Sequence, residues 1–157
     1  MNKKHTILYL IILFALALKL YGINFEVPHP DDYITVQAAM HFGPAQVELS
    51  GHGLYGLYVW PSTGMVYIEV LLFSIYYLLG WAAGIFPDID SFKNLYLTDP
   101  SSFFLICRIM CIFFGVASVA ALYSLAKRLY GHKTAIMAAF FLSASFLYSM
   151  HSQFIRP

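Results

Sequence analysis

Charge is scarce in this chain. Only 11% of its 157 residues are Asp, Glu, Lys or Arg, against roughly a quarter in ordinary soluble domains. Hydrophobic residues make up 60%, and the mean hydropathy is +0.69. A soluble chain of this length has too little interior to hide that much apolar surface, so a bilayer has to serve as solvent for much of it. A positive excess is missing too. Nine Lys and Arg stand against eight Asp and Glu, which argues against nucleic acid as a partner. Cysteine is limited to two residues, Cys107 and Cys111. Spaced i, i+4 on an apolar helix, they read as packing residues, not a disulfide, and say little about redox compartment. No internal repeat, low-complexity tract or soluble domain is visible.

What the chain does have is long apolar runs. They imply an all-α integral membrane fold: a polytopic helical bundle whose outer loop carries short amphipathic or juxtamembrane helices. Spans are expected at about 6–25, 103–125 and 135–150, each near the roughly 20 residues that cross a hydrocarbon core. Lys19, near the end of the first, can snorkel to the interface. Tyr21, Tyr123, Tyr130 and Tyr148 lie toward span ends, where aromatic belts form. Lys3 and Lys4 place the N-terminus in the cytoplasm, and the Lys127-Arg128…Lys133 turn is the next basic cluster. All eight acids fall between Glu26 and Asp99. A fourth apolar segment, about 65–86, is long enough to span, but crossing there would put the basic turn outside. The charge rule therefore favours a re-entrant or interfacial segment, and Glu69 within it suits a cavity better than lipid. A signal peptide ending near Ala15-Leu16-Ala17 is the alternative reading of the N-terminus; the apolar pattern continues past Ala17 and weighs against cleavage.

The first loop, 26–61, then faces outward, and it holds His29-Pro30-Asp31-Asp32. Pro30 and Asp31 suit the first turn of a helix. Ile34, Ala38, Met40 and Phe42 give a loosely amphipathic face over about 32–42, and Gly43-Pro44 ends it. Adjacent carboxylates at a membrane surface suit metal binding or proton abstraction, although capping of a surface helix explains them as well. His29, His41 and His52 share the loop with Asp31, Asp32 and Glu48. A divalent metal is permitted there, with Asp31 and Asp32 as ligands, but the spacing matches no zinc pattern.

The order of parts resembles a known family. After an apolar segment come HPDDY, an aromatic approach (YGLYVWPSTGMVYIEV) and an acidic linker. An arginine-bearing span (FFLICRIMCIFFGVASVAALYSLAKRLYG) and a helix ending in HSQFIRP follow. This resembles the N-terminal part of GT-C superfamily glycosyltransferases, the dolichyl-phosphate-mannose protein mannosyltransferase-like group. The resemblance implies a membrane enzyme that moves a sugar from a polyprenyl-phosphate carrier to a protein, lipid or glycan acceptor, with inversion. It implies that Asp31 is the base and that Asp32, in place of a commoner Glu, orients acceptor or metal. The family's further acid after a segment like 151–157 is not present, and its members are several times longer, so an N-terminal fragment, inactive alone, is expected. Inverting transfer also needs stabilisation of the leaving lipid phosphate. Arg108 and Arg156 are the candidates, since guanidinium groups bind phosphate through paired hydrogen bonds; interfacial anchoring is the plain alternative for both.

The resemblance also implies a plasma, inner or endoplasmic-reticulum membrane location, no certain cofactor, and a polyprenyl-phosphate sugar as donor. Two other readings stay open: a transporter or channel piece in which Glu69 and Arg108 line a polar path, and a non-enzymatic membrane subunit. Ser143, Ala144 and Ser145 read as small residues for close helix packing.

Overall fold

The computed structural model describes residues 3–21, 23, 30–44 and 63–152, with the side chains of 3–5, 30, 31 and 63 outside that description. The described residues are almost entirely helical, with no strand among them. In chain order the helices are α1 (Lys3–Leu20), α2 (Pro30–Phe42), α3 (Thr63–Ala82), α4 (Ile89–Thr98), α5 (Ser101–Tyr130), α6 (His132–Ala144) and α7 (Phe146–His151). Two are long and apolar enough to cross a membrane: Gly64–Ala82 and Ser101–Tyr130. Thr6–Leu20 is a shorter apolar helix. Length and composition thus place Gly64–Ala82, the helical part of the segment about 65–86, among the qualifying helices, while loop charge placement and Glu69 argue against its crossing.

The chain divides into two compact units, Met1–Phe25 with Arg108–Phe154, and Glu26–Cys107 with Ile155–Pro157. In the first, α1 packs on α6 and α7. Its core is Ile11 and Ala15 from α1, Val119, Tyr123 and Ala126 from α5, and Ala135 and Ala139 from α6. These recur at three- and four-residue spacing, one stripe per helix. Alanine dominates the stripe, so backbones approach closely. Gly131 joins α5 to α6 with φ of +86°, a conformation only glycine adopts without strain.

The stretch 135–150, expected as one span, is interrupted. Ser145 is extended (φ −65°, ψ 117°), ending α6 after 13 residues and starting a six-residue α7. Its hydroxyl accepts the Tyr148 amide at 3.4 Å, and its own amide donates to the Leu142 carbonyl. A serine that bonds its neighbouring backbone offers an alternative to the helical ladder. That local competition is invisible to hydropathy.

In the second unit, α2 packs on α3, and rings from α3, α4 and the start of α5 form the core. Phe92 is fully buried. It meets Tyr76, Tyr77, Phe86 and Phe103 edge-on, with centroids 5.1–5.7 Å apart. Phe103 also meets Phe73 and Tyr96. Such geometry sets the positive ring edge against the negative face. Asp88 caps α4, accepting from the Ser91 amide at 2.8 Å and its hydroxyl at 2.6 Å. Asp99 takes the Ser101 amide and hydroxyl at the start of α5.

α2 begins at Pro30 and ends before Gly43, where the sequence signals place it. Its buried side differs from the expected one: Asp32, Thr35, Val36, Ala38, Ala39 and Met40 are covered, Ile34 is half-buried and Phe42 is exposed. Small side chains at 38 and 39 let the helix seat deeply, and Phe42 lies beyond the packed turns.

Phe92→Ala is expected to cost about 3–5 kcal/mol through loss of ring contacts and a cavity. Leu97→Ala, on an exposed position of the same helix, should stay within about 0.5 kcal/mol. Thermal unfolding of the two variants beside wild type checks this; equal shifts would contradict the aromatic core.

Candidate functional site

The acidic pair sits in the first turn of α2. Asp31 lies on that turn, with its side chain outside the described residues; Asp32 is fully buried. Arg156, His29, Glu48 and His52 lie outside the described residues. Arg108 is buried, and one terminal nitrogen donates to the Ile23 carbonyl at 3.1 Å, within its own unit. His41 lies in the last turn of α2, edge-on to Phe42.

What the second unit does bring together is Asp32 and Thr35 from α2, Glu69 from α3 and Cys107 from α5. All four are buried. Glu69 is the sole charged residue of α3. The Asp32 carboxylate is its charged neighbour, and Thr35 and Cys107 are the donors that face it. Yet neither Glu69 oxygen closes a hydrogen bond, because the Thr35 hydroxyl is turned to the Asp32 backbone carbonyl at 3.3 Å. The helical register explains the convergence. Phe73, one turn along α3 from Glu69, packs on Phe103, one turn along α5 from Cys107. The ring contact fixes the depth at which Glu69 meets α5.

Sequence reasoning assigned Glu69 to a cavity-facing position but gave it no part in the acidic site, and Thr35 was missed. A lone acid in an otherwise uncharged 20-residue helix was the signal for the first. Nothing in the sequence marks the second. Cys107 and Cys111 are buried thiols that form no disulfide, in keeping with packing roles. Among the described residues no three His, Cys, Asp or Glu side chains converge as a metal-ligand group.

In the first unit, Lys19 is not at a surface. It is fully buried, its ammonium 4.0 Å from the centroid of the Tyr148 ring. Gly115 makes the room: a Cβ there would stand 3.2 Å from Lys19 Cε and 2.8 Å from Ser152 Cβ. The Tyr148 hydroxyl donates to the Gly115 carbonyl at 2.7 Å, holding the ring in place. An aromatic face replaces water around the cation, which is why the lysine turns inward instead of snorkelling. Tyr21 and Tyr130 remain exposed, whereas Tyr123 is buried and its hydroxyl pairs with His132 Nδ1 at 3.1 Å.

Among groups between the two long apolar helices, the Ser91 and Ser101 hydroxyls and amides hold Asp88 and Asp99 below the usual carboxylate range. Burial, with a smaller contribution from Tyr33, pushes the Tyr96 phenol up to about 12. It stays a neutral packing ring at every physiological pH.

No protein-family model matches this chain, and neither does any curated protein or solved structure.

Two expectations follow. The depressed Asp88 carboxyl supports α4 above its unfolded value, near 3.9, and that support is lost as pH falls through the lower folded value. The protection factor of the Ser91 amide, taken against its intrinsic exchange rate at each pH, should therefore fall on acidification in wild type but hardly change in Asp88→Asn. Parallel profiles would discount the cap. Tyr148→Phe should cost about 0.5–1.5 kcal/mol for the lost hydrogen bond, and Tyr148→Ala distinctly more, since the ring beneath Lys19 goes too; thermal unfolding separates them.

Proposed function

We propose that this protein is an inverting glycosyltransferase embedded in a membrane as a multi-pass helical bundle, with a polyprenyl-phosphate sugar as donor. The observation that carries the reading is an adjacent carboxylate pair in the first turn of a helix that follows an apolar N-terminal helix. The two long apolar helices support the membrane setting. Those features accord with the resemblance in the order of sequence parts.

In this reading the acceptor's hydroxyl oxygen or amine nitrogen attacks the anomeric carbon from the face opposite the phosphate. The bond from that carbon to the phosphate oxygen breaks, the configuration inverts, and polyprenyl phosphate leaves. The acceptor proton passes to Asp31, which needs to lie within about 2.6–3.2 Å of it. Asp32, held by the packing of α2, orients the acceptor. Arg108 and Arg156 supply positive charge to the phosphate as negative charge develops on it. The acceptor is a protein, lipid or glycan hydroxyl or amine; the sugar is left unspecified.

The test is transfer of labelled sugar from a polyprenyl-phosphate donor in membranes carrying the full-length protein, wild type beside Asp31→Asn. Wild type should transfer. The variant should lose about 10²–10⁴-fold in turnover, the range for a general base, with expression and donor binding retained. Equal activity in the variant would remove Asp31 as base. Absence of transfer by well-folded wild type from any donor would favour the transporter or subunit reading.

A further inference from the structure

The transferase reading places its chemistry at Asp31 and Asp32 and leaves the basic turn between α5 and α6 without a role. Lys127 and Arg128 close α5, and Lys133 lies in the first turn of α6. All three are exposed. Like charges this close in the chain repel one another unless an anion meets them. Their own unit supplies none, because residues 1–25 and 108–154 contain no Asp or Glu. The counter-charge for this turn has to come from beyond the unit. The sequence of α5 sets the depth at which it is needed. Between Arg108 and Lys127 the helix runs through 109–126 without a charged residue. At 1.5 Å per residue that stretch is about 27 Å long, close to the roughly 30 Å of a hydrocarbon core. A helix crossing along it brings Lys127 and Arg128 to the level of the lipid phosphates. Leu125 and Leu129, one turn apart, and Tyr130 are exposed beside them. The leucines suit acyl chains, and the tyrosine suits the interface.

The cluster is also held by the fold. Gly131 is the single residue between α5 and α6, so the two helix ends meet at one tight corner. Tyr123, buried one turn before Lys127, ties the two sides together. Its hydroxyl pairs with His132 Nδ1 at 3.1 Å, and the two ring centroids are 6.1 Å apart. The Lys127 ammonium stands 5.8 Å from the centroid of the same tyrosine ring. One buried side chain therefore positions a cation of α5 and the first residue of α6.

We propose that the α5–α6 corner binds the headgroup of an anionic phospholipid. Arg128 meets the phosphodiester, since a guanidinium binds phosphate through paired hydrogen bonds, and Lys127 and Lys133 add charge around it. A bias of basic residues fixes which side of a membrane a turn takes and is indifferent to lipid type. A held cluster at headgroup depth, flanked by exposed leucines, distinguishes a headgroup of net negative charge from a zwitterionic one. The inference rests on the membrane setting of the proposed function and not on its transfer chemistry.

The test places the full-length protein in phosphatidylcholine nanodiscs. Electron spin resonance then measures how much spin-labelled phosphatidylglycerol the protein holds, against spin-labelled phosphatidylcholine. At low salt, wild type should hold phosphatidylglycerol about fivefold more strongly, the worth of one basic residue at a charged surface. The preference should shrink in about 1 M salt, where charges are screened beyond about 3 Å. Lys127→Gln, Arg128→Gln and Lys133→Gln combined should reduce it to below about twofold, as the charges that carry it are gone. All three positions are exposed, so the variant should keep its fold. Lys3→Gln with Lys4→Gln, at the other basic cluster, should leave the preference standing. Wild type that enters nanodiscs without preferring phosphatidylglycerol would overturn the proposal. So would a preference that survives the triple variant. Wild type that does not enter nanodiscs would overturn the membrane setting and the proposal with it. Neither readout involves Asp31 or sugar transfer, so a failed lipid site and a failed transferase assignment are told apart.

Discussion

A chain with this little charge has to account for every charge it buries, and that constraint organises the structure. Lys19, Asp32, Glu69 and Arg108 are all covered. The unit formed by Met1–Phe25 and Arg108–Phe154 contains no Asp or Glu in its sequence. Within it the two buried cations are met by softer partners, an aromatic face for Lys19 and a backbone carbonyl for Arg108. Each partner depends on a local concession: Gly115 gives up its side chain, and the chain leaves helical geometry after α1 so that the Ile23 carbonyl is available to a side chain. The other unit carries the acids and gathers two of them at one buried place.

Aromatic packing gives that second unit its precision. Edge-to-face rings converge on Phe92 and Phe103, and their register along α3 and α5 sets where Glu69 and Cys107 come to lie. The same four-residue spacing links core and polar site on each helix. A change in the ring stack therefore moves the acids as well as the core, and stability and site geometry are coupled. By contrast, the first unit relies on small residues, where close backbone approach replaces ring contacts.

The functional reading rests on chemistry that both levels share. Adjacent carboxylates on an early helix turn are suited to proton abstraction at a polar–apolar boundary, and covering one of them makes its charge more responsive to what lies beside it. Asp31 and Asp32 differ in this respect even though they are neighbours in sequence: Asp32 faces into the packing of α2, toward the helix that brings Glu69.

By itself the sequence determined the helical class, the start of α2 at Pro30 and its end before Gly43, a long apolar helix over about 103–125 that the structure extends to Ser101–Tyr130, and the packing role of the two cysteines. These follow from apolar periodicity, proline and glycine geometry, and helix hydrogen bonds that close within four residues, all of which are local. The helix break at Ser145 was also local but rested on one hydroxyl, too small a signal against the surrounding apolar run. Only the tertiary structure decided that Lys19 turns inward onto Tyr148, which side of α2 is covered, and that Asp32, Glu69 and Cys107 meet. Those outcomes join positions tens of residues apart in the chain, and what selects them is the fit of rings and glycine gaps between helices, a property of shape that no single segment carries.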